Sequence, residues 1–154
     1  MKKRVFVDLD GPLVDFDRYM REHNATADEV KVKRKAYLEM HPVGGAIDAV
    51  RSIIGMGYDV WIATKPPTGV PHAYADKAEW VMRNLNELTR KIIITHHKGM
   101  LGGADDFLID DRPHKAGCEE FAGTLIKYGE GFGWPEILDM LREHAPNHNR
   151  RQQQ

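Results

Sequence analysis

Four aspartates in two groups are the residues of this chain best suited to chemistry. The apolar run Arg4-Val5-Phe6-Val7 leads straight into Asp8-Leu9-Asp10-Gly11, and a later run, Phe107-Leu108-Ile109, ends in Asp110-Asp111. Carboxylates placed just past buried strands are costly unless water or a partner meets their charge. Two such groups at two strand ends share a need for a cation, and a divalent metal with oxygen ligands meets it. Asp8 and Asp10 alternate along an extended segment and so point similarly, while Gly11 permits a sharp exit. Either group alone also reads as an ordinary turn, since Asp, Gly and Pro are all turn formers. Together, at the carboxyl ends of strands where α/β sheets bind ligands, they outline a site.

Two further residues fit the same place. Thr64 directly follows Val60-Trp61-Ile62-Ala63, so its hydroxyl and the next backbone N–H, that of Lys65, could hold an oxyanion. Lys98, in Thr95-His96-His97-Lys98-Gly99-Met100, precedes the second acidic strand end and would supply a counter-charge. Each has a plain alternative: a strand-end turn for Thr64 and a solvated side chain for Lys98. Cys118 is the single cysteine and sits in Lys115-Ala116-Gly117-Cys118-Glu119-Glu120, where acids would raise its pKa, so packing suits it better than nucleophilic chemistry. The eight histidines are scattered rather than set at metal-ligand spacing.

The elements that must position these groups are legible in the pattern. At 154 residues and 42% hydrophobic, the chain suits one domain with a real core. Short, nearly all-apolar strands are expected at 4–8, 58–63, 91–95, 107–109 and 123–127. Helices are expected near 46–55 (Ile47, Val50, Ile53, Ile54), 72–88 and 135–144. This alternation predicts a parallel sheet covered on both faces. The stretch 13–40 reads as helical with a break at Asn24-Ala25-Thr26. It forms an insertion of about 15–42 that emerges beside the aspartates, either as a lid or as a hairpin packed on the sheet edge. The domain is expected to span 1–146, with a polar, disordered tail at 147–154.

A net charge of -1 gives no general attraction to nucleic acid or an anionic membrane. No apolar run approaches the ~20 residues that cross a bilayer. With one cysteine, the expectation is a cytoplasmic protein in a reducing compartment. The sequence leaves the oligomeric state open.

The ordered set Asp-x-Asp-Gly, Thr, Lys, Asp-Asp resembles the haloacid dehalogenase (HAD) phosphohydrolase superfamily. Val7 through Phe16 and Lys98 through Pro113 look most like its 5'(3')-deoxyribonucleotidase branch. The resemblance implies a three-layer, Rossmann-like α/β HAD core with a central parallel sheet, the first strand in its middle, and a small helical cap. It implies a phosphomonoesterase in which Asp8 is the nucleophile, giving an aspartyl-phosphate, and Asp10 the general acid and base. It also implies Mg²⁺ held by Asp8, Asp10 through its backbone carbonyl, and Asp110. Asp111 would orient groups around the metal or Lys98. Thr64, Lys65 and Lys98 would bind phosphate.

Two departures touch the substrate more than the chemistry. Lys65 stands where that branch tends to have a small residue, and it either meets the phosphate or points to solvent. The insertion is also shorter than a deoxyribonucleotidase cap. Phe16, Tyr19, Tyr37 and His41 offer a base-contacting surface, or else the aromatics form the insertion's own small core. The implied substrate is a small phosphorylated one, a nucleoside monophosphate before other metabolites. The alternatives are a nucleic-acid 3'-phosphate end or a phosphoprotein, for which the run Lys31, Lys33, Arg34, Lys35 would be the basic surface, and a non-catalytic binding protein.

Overall fold

A computed structural model describes residues 2–146; the expected disordered tail at 147–154 lies outside the described residues. Five strands, β1 (Arg4–Val7), β2 (Asp59–Thr64), β3 (Ile92–Ile94), β4 (Phe107–Asp110) and β5 (Thr124–Lys127), form one sheet in the order β3-β2-β1-β4-β5. Every pairing is parallel. The first strand is central, as the sequence suggests. Its register aligns Val7 with Ile62 on one side and Ile109 on the other, so the residues that follow all three strands emerge at one edge. Asp8, Thr64 and Asp110 occupy that edge.

Alternation along the strands sorts side chains to two faces. Val5, Val7, Val60, Ile62, Phe107, Ile109 and Ile126 share the main core with α3 (Ala46–Gly55), α4 (Pro71–Asn84) and α5 (Trp134–Glu143). Phe6, Ala63 and Leu108 face the other way, onto Cys118 and Phe121. Crossover handedness explains the split. The β1-to-β2 and β2-to-β3 connections run one way across the sheet, while β3-to-β4 and β4-to-β5 run back. Right-handed crossovers therefore place them on opposite faces.

The second face carries no α-helix among the described residues. It is covered by single 3₁₀ turns, Lys98–Met100 and Cys118–Glu120, and by loops. The connections between β3 and β4 and between β4 and β5 carry Gly99, Gly102, Gly103, Gly117 and Gly123, which work against a helix interior. Trp61, Ile93, Leu101 and Leu125 are consequently only partly buried on this side.

The insertion is less helical than its sequence suggests. It contains α1 (Phe16–His23), α2 (Ala27–Val32) and a 3₁₀ turn at Tyr37–Glu39, with extended or turned backbone between. Asp15 caps α1 by accepting from the Arg18 N–H, and Asn24 ends it in the left-handed conformation. Thr26 then caps α2, accepting from the Glu29 N–H. The break at Asn24-Ala25-Thr26 is thus a C-cap followed by an N-cap.

The two ends of the insertion lie side by side. The Asp15 N–H donates to His41 O at 2.9 Å and the Val43 N–H to Leu13 O at 2.8 Å. Its returning half is bolted to α4. Trp80 Nε1 donates to Met40 O at 3.0 Å, the Lys35 N–H donates to Asp76 Oδ2 at 2.7 Å, and His72 Nε2 lies 2.8 Å from Val32 O. Ala36, Tyr37 and Met40 belong to the main core.

Candidate active site

The site is assembled from the carboxyl ends of β1, β2 and β4. After β1 the chain turns at once: the Leu13 and Val14 N–H groups both donate to Leu9 O, and the Gly11 N–H donates to Val14 O at 3.0 Å. Gly11 has φ +101°, and a Cβ built there would meet the Asp111 carboxylate, with Cγ 2.8 Å away. The glycine is therefore required twice over, for its backbone and for the space that brings the two acidic segments together. Trp134 Nε1 donates to Pro12 O at 2.8 Å and so ties this loop to α5.

Lys98 lies at the centre of the charge. Its 3₁₀ turn is fixed by donation from the Lys98 N–H to Ala116 O at 2.7 Å. Its ammonium donates to Asp8 Oδ1 at 2.8 Å and to Asp110 Oδ2 at 2.5 Å. All three side chains are buried. Carboxylate oxygens of Asp8, Asp110 and Asp111 lie within 4.8 Å of one another, and Lys98 bonds two of these three crowded carboxylates.

The titration behaviour reflects that shortage of positive charge. Asp8 is held well above the usual carboxylate range by burial, opposed by Lys98 and reinforced by Asp110, Asp111 and Asp10. Asp111 is raised as well, again chiefly by burial. Burial pulls the Lys98 ammonium down, but Asp8 and Asp110 outweigh it and the net shift is upward. The donor set is all hard oxygen and under-neutralised, which fits a small divalent cation.

Asp10 stands apart from this cluster of three carboxylates. Its Oδ2 accepts from Tyr37 Oη at 3.2 Å and from Lys77 Nζ at 3.0 Å. Its Oδ1 is shielded from solvent with no hydrogen-bond partner among the described residues. Lys77 also donates to Thr64 Oγ1 at 3.0 Å, and its ammonium lies 4.6 Å from the centroid of the Tyr37 ring. Burial, followed by the neighbouring Asp10 charge, pushes the Tyr37 hydroxyl up, so it stays a donor at neutral pH.

A cleft of about 570 Å³ opens over these groups. Asp8, Asp10, Thr64, Lys65, Lys98, Asp110 and Asp111 all line it, as do Phe16 and Tyr37. Lys65 is exposed at the rim. Tyr19 and His41 are not brought to the cleft. Tyr19 is buried against His23, donates to Glu39 Oε2 at 3.1 Å and accepts from Lys33 Nζ at 3.0 Å, so it serves the insertion's own packing. His41 is exposed, and its carbonyl closes the stalk of the insertion instead.

Cys118 is buried 3.5 Å from Asp110 Oδ2, and its thiol is pushed up to about 12. Burial and then Asp110 cause this shift, while the flanking Glu119 and Glu120 are exposed.

Lys77 is the residue that motif reasoning passes over. The signal lies in the helix pattern. Ala73, Lys77, Trp80 and Val81 fall on one stripe of α4, so a lysine occupies a core-facing position and requires buried acceptors.

Among the described residues, no helix is long and apolar enough to cross a membrane. A solved HAD domain, that of effector protein Lem4 from Legionella pneumophila, matches 98% of this chain and 98% of its own length with a TM-score of 0.53. At 13% identity, this likeness speaks to the fold alone. A Vibrio phage KVP40 protein provisionally assigned as a 5'(3')-deoxyribonucleotidase is 32% identical over 134 residues, 83% of this chain and 76% of its own. The human cytosolic-type 5'(3')-deoxyribonucleotidase is 30% identical over 151 residues, 76% of this chain and 74% of its own. The family model described as 5' nucleotidase, deoxy (pyrimidine), cytosolic type C protein matches residues 21–132, a span that starts after Asp8 and Asp10 and takes in Thr64, Lys98, Asp110 and Asp111. With the parallel sheet and the cleft at its carboxyl edge, these matches make the chain a member of the cytosolic type C 5'-nucleotidase family, within the HAD phosphohydrolases.

Proposed function

We propose that the protein is a Mg²⁺-dependent phosphomonoesterase acting on nucleoside monophosphates, in the manner of the 5'(3')-deoxyribonucleotidases it resembles. The observation that carries this reading is the buried ammonium of Lys98, 2.8 Å from Asp8 and bridging it to Asp110, at the floor of an open cleft. A purely structural ion pair has no need of a third carboxylate beside it.

Asp8 and Asp110 would hold the cation with the backbone carbonyl of Asp10, and Asp111 would stand close behind. When bound, Mg²⁺ supplies the missing positive charge, lowering repulsion between the carboxylates and a phosphate dianion and polarising a phosphoryl oxygen. A carboxylate oxygen of Asp8 attacks phosphorus, and the bond from phosphorus to the ester oxygen breaks. Asp10 delivers a proton to that departing oxygen. A water molecule then attacks the phosphorus of the aspartyl-phosphate, its proton passes to Asp10, and the bond to Asp8 breaks. Lys98 and the Thr64 hydroxyl steady the phosphoryl oxygens through both steps.

The walls suit a nucleoside. Phe16, Met20, Ala27 and Pro66 are apolar groups lining the cleft, with Phe16 set 6.1 Å, centroid to centroid, from Tyr37. A second reading, a phosphorylated nucleic-acid end, is favoured by the cations Lys31, Lys65, Arg112 and Lys115 around the same opening.

The test is phosphate release from ribo- and deoxyribonucleoside monophosphates, sugar phosphates and 3'-phosphorylated oligonucleotides, with Mg²⁺, with EDTA, and with Asp8→Asn. The expected result is Mg²⁺-dependent turnover of the nucleoside monophosphates that Asp8→Asn abolishes. Preference for the oligonucleotides would replace the first reading with the second. Folded, Mg²⁺-loaded protein that releases no phosphate from any of them would refute both.

A further inference from the structure

Lys77 is completely buried, and the partners of its ammonium among the described residues lie within the site. One points to Asp10 Oδ2, one to Thr64 Oγ1, and the ammonium lies over the face of Tyr37. A lysine ammonium has three donors and no acceptor. The oxygens of Asp10 and Thr64 that face it are thereby fixed as acceptors.

The consequence for Thr64 is directional. A hydroxyl that accepts a hydrogen bond from Lys77 must turn its own hydrogen elsewhere, and Thr64 lines the cleft. The consequence for Asp10 is rotational. Its carboxyl is gripped through Oδ2 by Lys77 and Tyr37 while Oδ1 has no partner among the described residues, so these two donors set its plane.

We propose that Lys77 is a positioning residue that couples the proton-transferring carboxyl of Asp10 to the phosphate-holding hydroxyl of Thr64, and this rests on the phosphatase reading above. It touches no substrate atom and acts through its two partners. Its seat on α4 is well suited to the task. Trp80 and Asp76, on the same helix, grip the returning half of the insertion that presents Tyr37. The acid, the phosphate clamp and the wall of the cleft are thus referenced to one helix.

The dependence on leaving group separates positioning from mere structure. A nucleoside alkoxide needs a proton to depart, whereas p-nitrophenolate does not. Because kcat/KM reports only steps up to phosphoryl transfer, it isolates this difference from hydrolysis of the intermediate. In Lys77→Met, kcat/KM for a nucleoside monophosphate should fall about 100-fold, the scale of one general-acid contribution. For p-nitrophenyl phosphate, only the weaker Thr64 clamp is felt, and the fall should be under about 10-fold.

Lys77→Gln, which keeps two donors without the charge, should recover part of the nucleotide loss and serves as the second variant if Lys77→Met does not fold. Equal losses on both substrates in a variant with wild-type circular dichroism, or no loss on either, would overturn the proposal. Absence of turnover by the wild type on both substrates would instead fell the phosphatase reading and this inference with it. Loss in Asp8→Asn with an unchanged substrate ratio in the Lys77 variants would fell the inference alone.

Discussion

Asp8 illustrates how a residue suited to chemistry strains the fold that holds it. Its pKa is raised in the protein, by burial above all, so between the unfolded and folded values the native state binds the extra proton. Stability must then fall as pH rises through that window, and above it the penalty is complete. Asp111 acts in the same sense. Metal-free Asp8→Asn should therefore unfold at higher urea than wild type at neutral pH. The difference should shrink as pH falls toward about 4, the ordinary carboxylate range. Urea midpoints measured across that range in EDTA check it; a variant less stable at every pH would show that the Lys98 pair outweighs the burial. Gly11 makes a second prediction at this scale. Gly11→Ala combines a left-handed strain of about 1–3 kcal/mol with a methyl group driven into the Asp111 carboxylate. Phosphate release should fall much further than the unfolding midpoint does, and parallel losses would contradict the role given to that contact. The residues facing each other here were legible as motifs because Asp, Gly and Thr were read at strand ends. Lys77 was not, since a motif search looks for chemistry in loops and this lysine hides in a helix stripe.

At the scale of elements, the strands were readable because continuous apolar runs flanked by turn residues leave few alternatives. The insertion was harder. Leu13, Phe16, Tyr19 and Met20 have helical spacing, yet only Phe16–His23 and Ala27–Val32 became helix. What competes after Val32 is tertiary. Asp76 on α4 captures the Lys35 N–H and leaves Lys35 at φ +63°, where a non-glycine residue is strained. Replacing it with glycine should relieve that strain, and Lys35→Gly is expected to raise stability by about 0.5–1 kcal/mol, read from the unfolding midpoint. A fall of similar size would mean that the lysine side chain contributes more than its backbone costs. Anchorage at Val32, Lys35 and Met40 also bears on the lid. The returning half of the insertion is tied to α4, and Tyr19 of α1 and Val30 of α2 are buried in the main core as well, so the insertion as a whole is packed against the sheet domain. The third layer is present, but its two crossovers are built without α-helices. Parallel strands imply crossovers on both faces, but they do not dictate that each crossover be an α-helix, and glycines leave these two as turns.

For the whole molecule, a central β1 flanked by β2 and β4 explains why residues far apart in sequence form one site. Parallel pairing in register brings Asp8, Thr64 and Asp110 to the same edge, and the connection from β3 back to β4 lays Lys98 across it. Membership of the nucleotidase family and the arrangement of the cleft then point the same way, and the claim joining them is that Asp8 becomes phosphorylated. The most direct measurement is an acid quench of the protein with Mg²⁺ and a ³²P-labelled nucleoside monophosphate during turnover, followed by peptide mapping. The account predicts an acid-stable, hydroxylamine-labile label on the peptide containing Asp8, absent in Asp8→Asn. Turnover with no label on any peptide, or label that persists in Asp8→Asn, would contradict it.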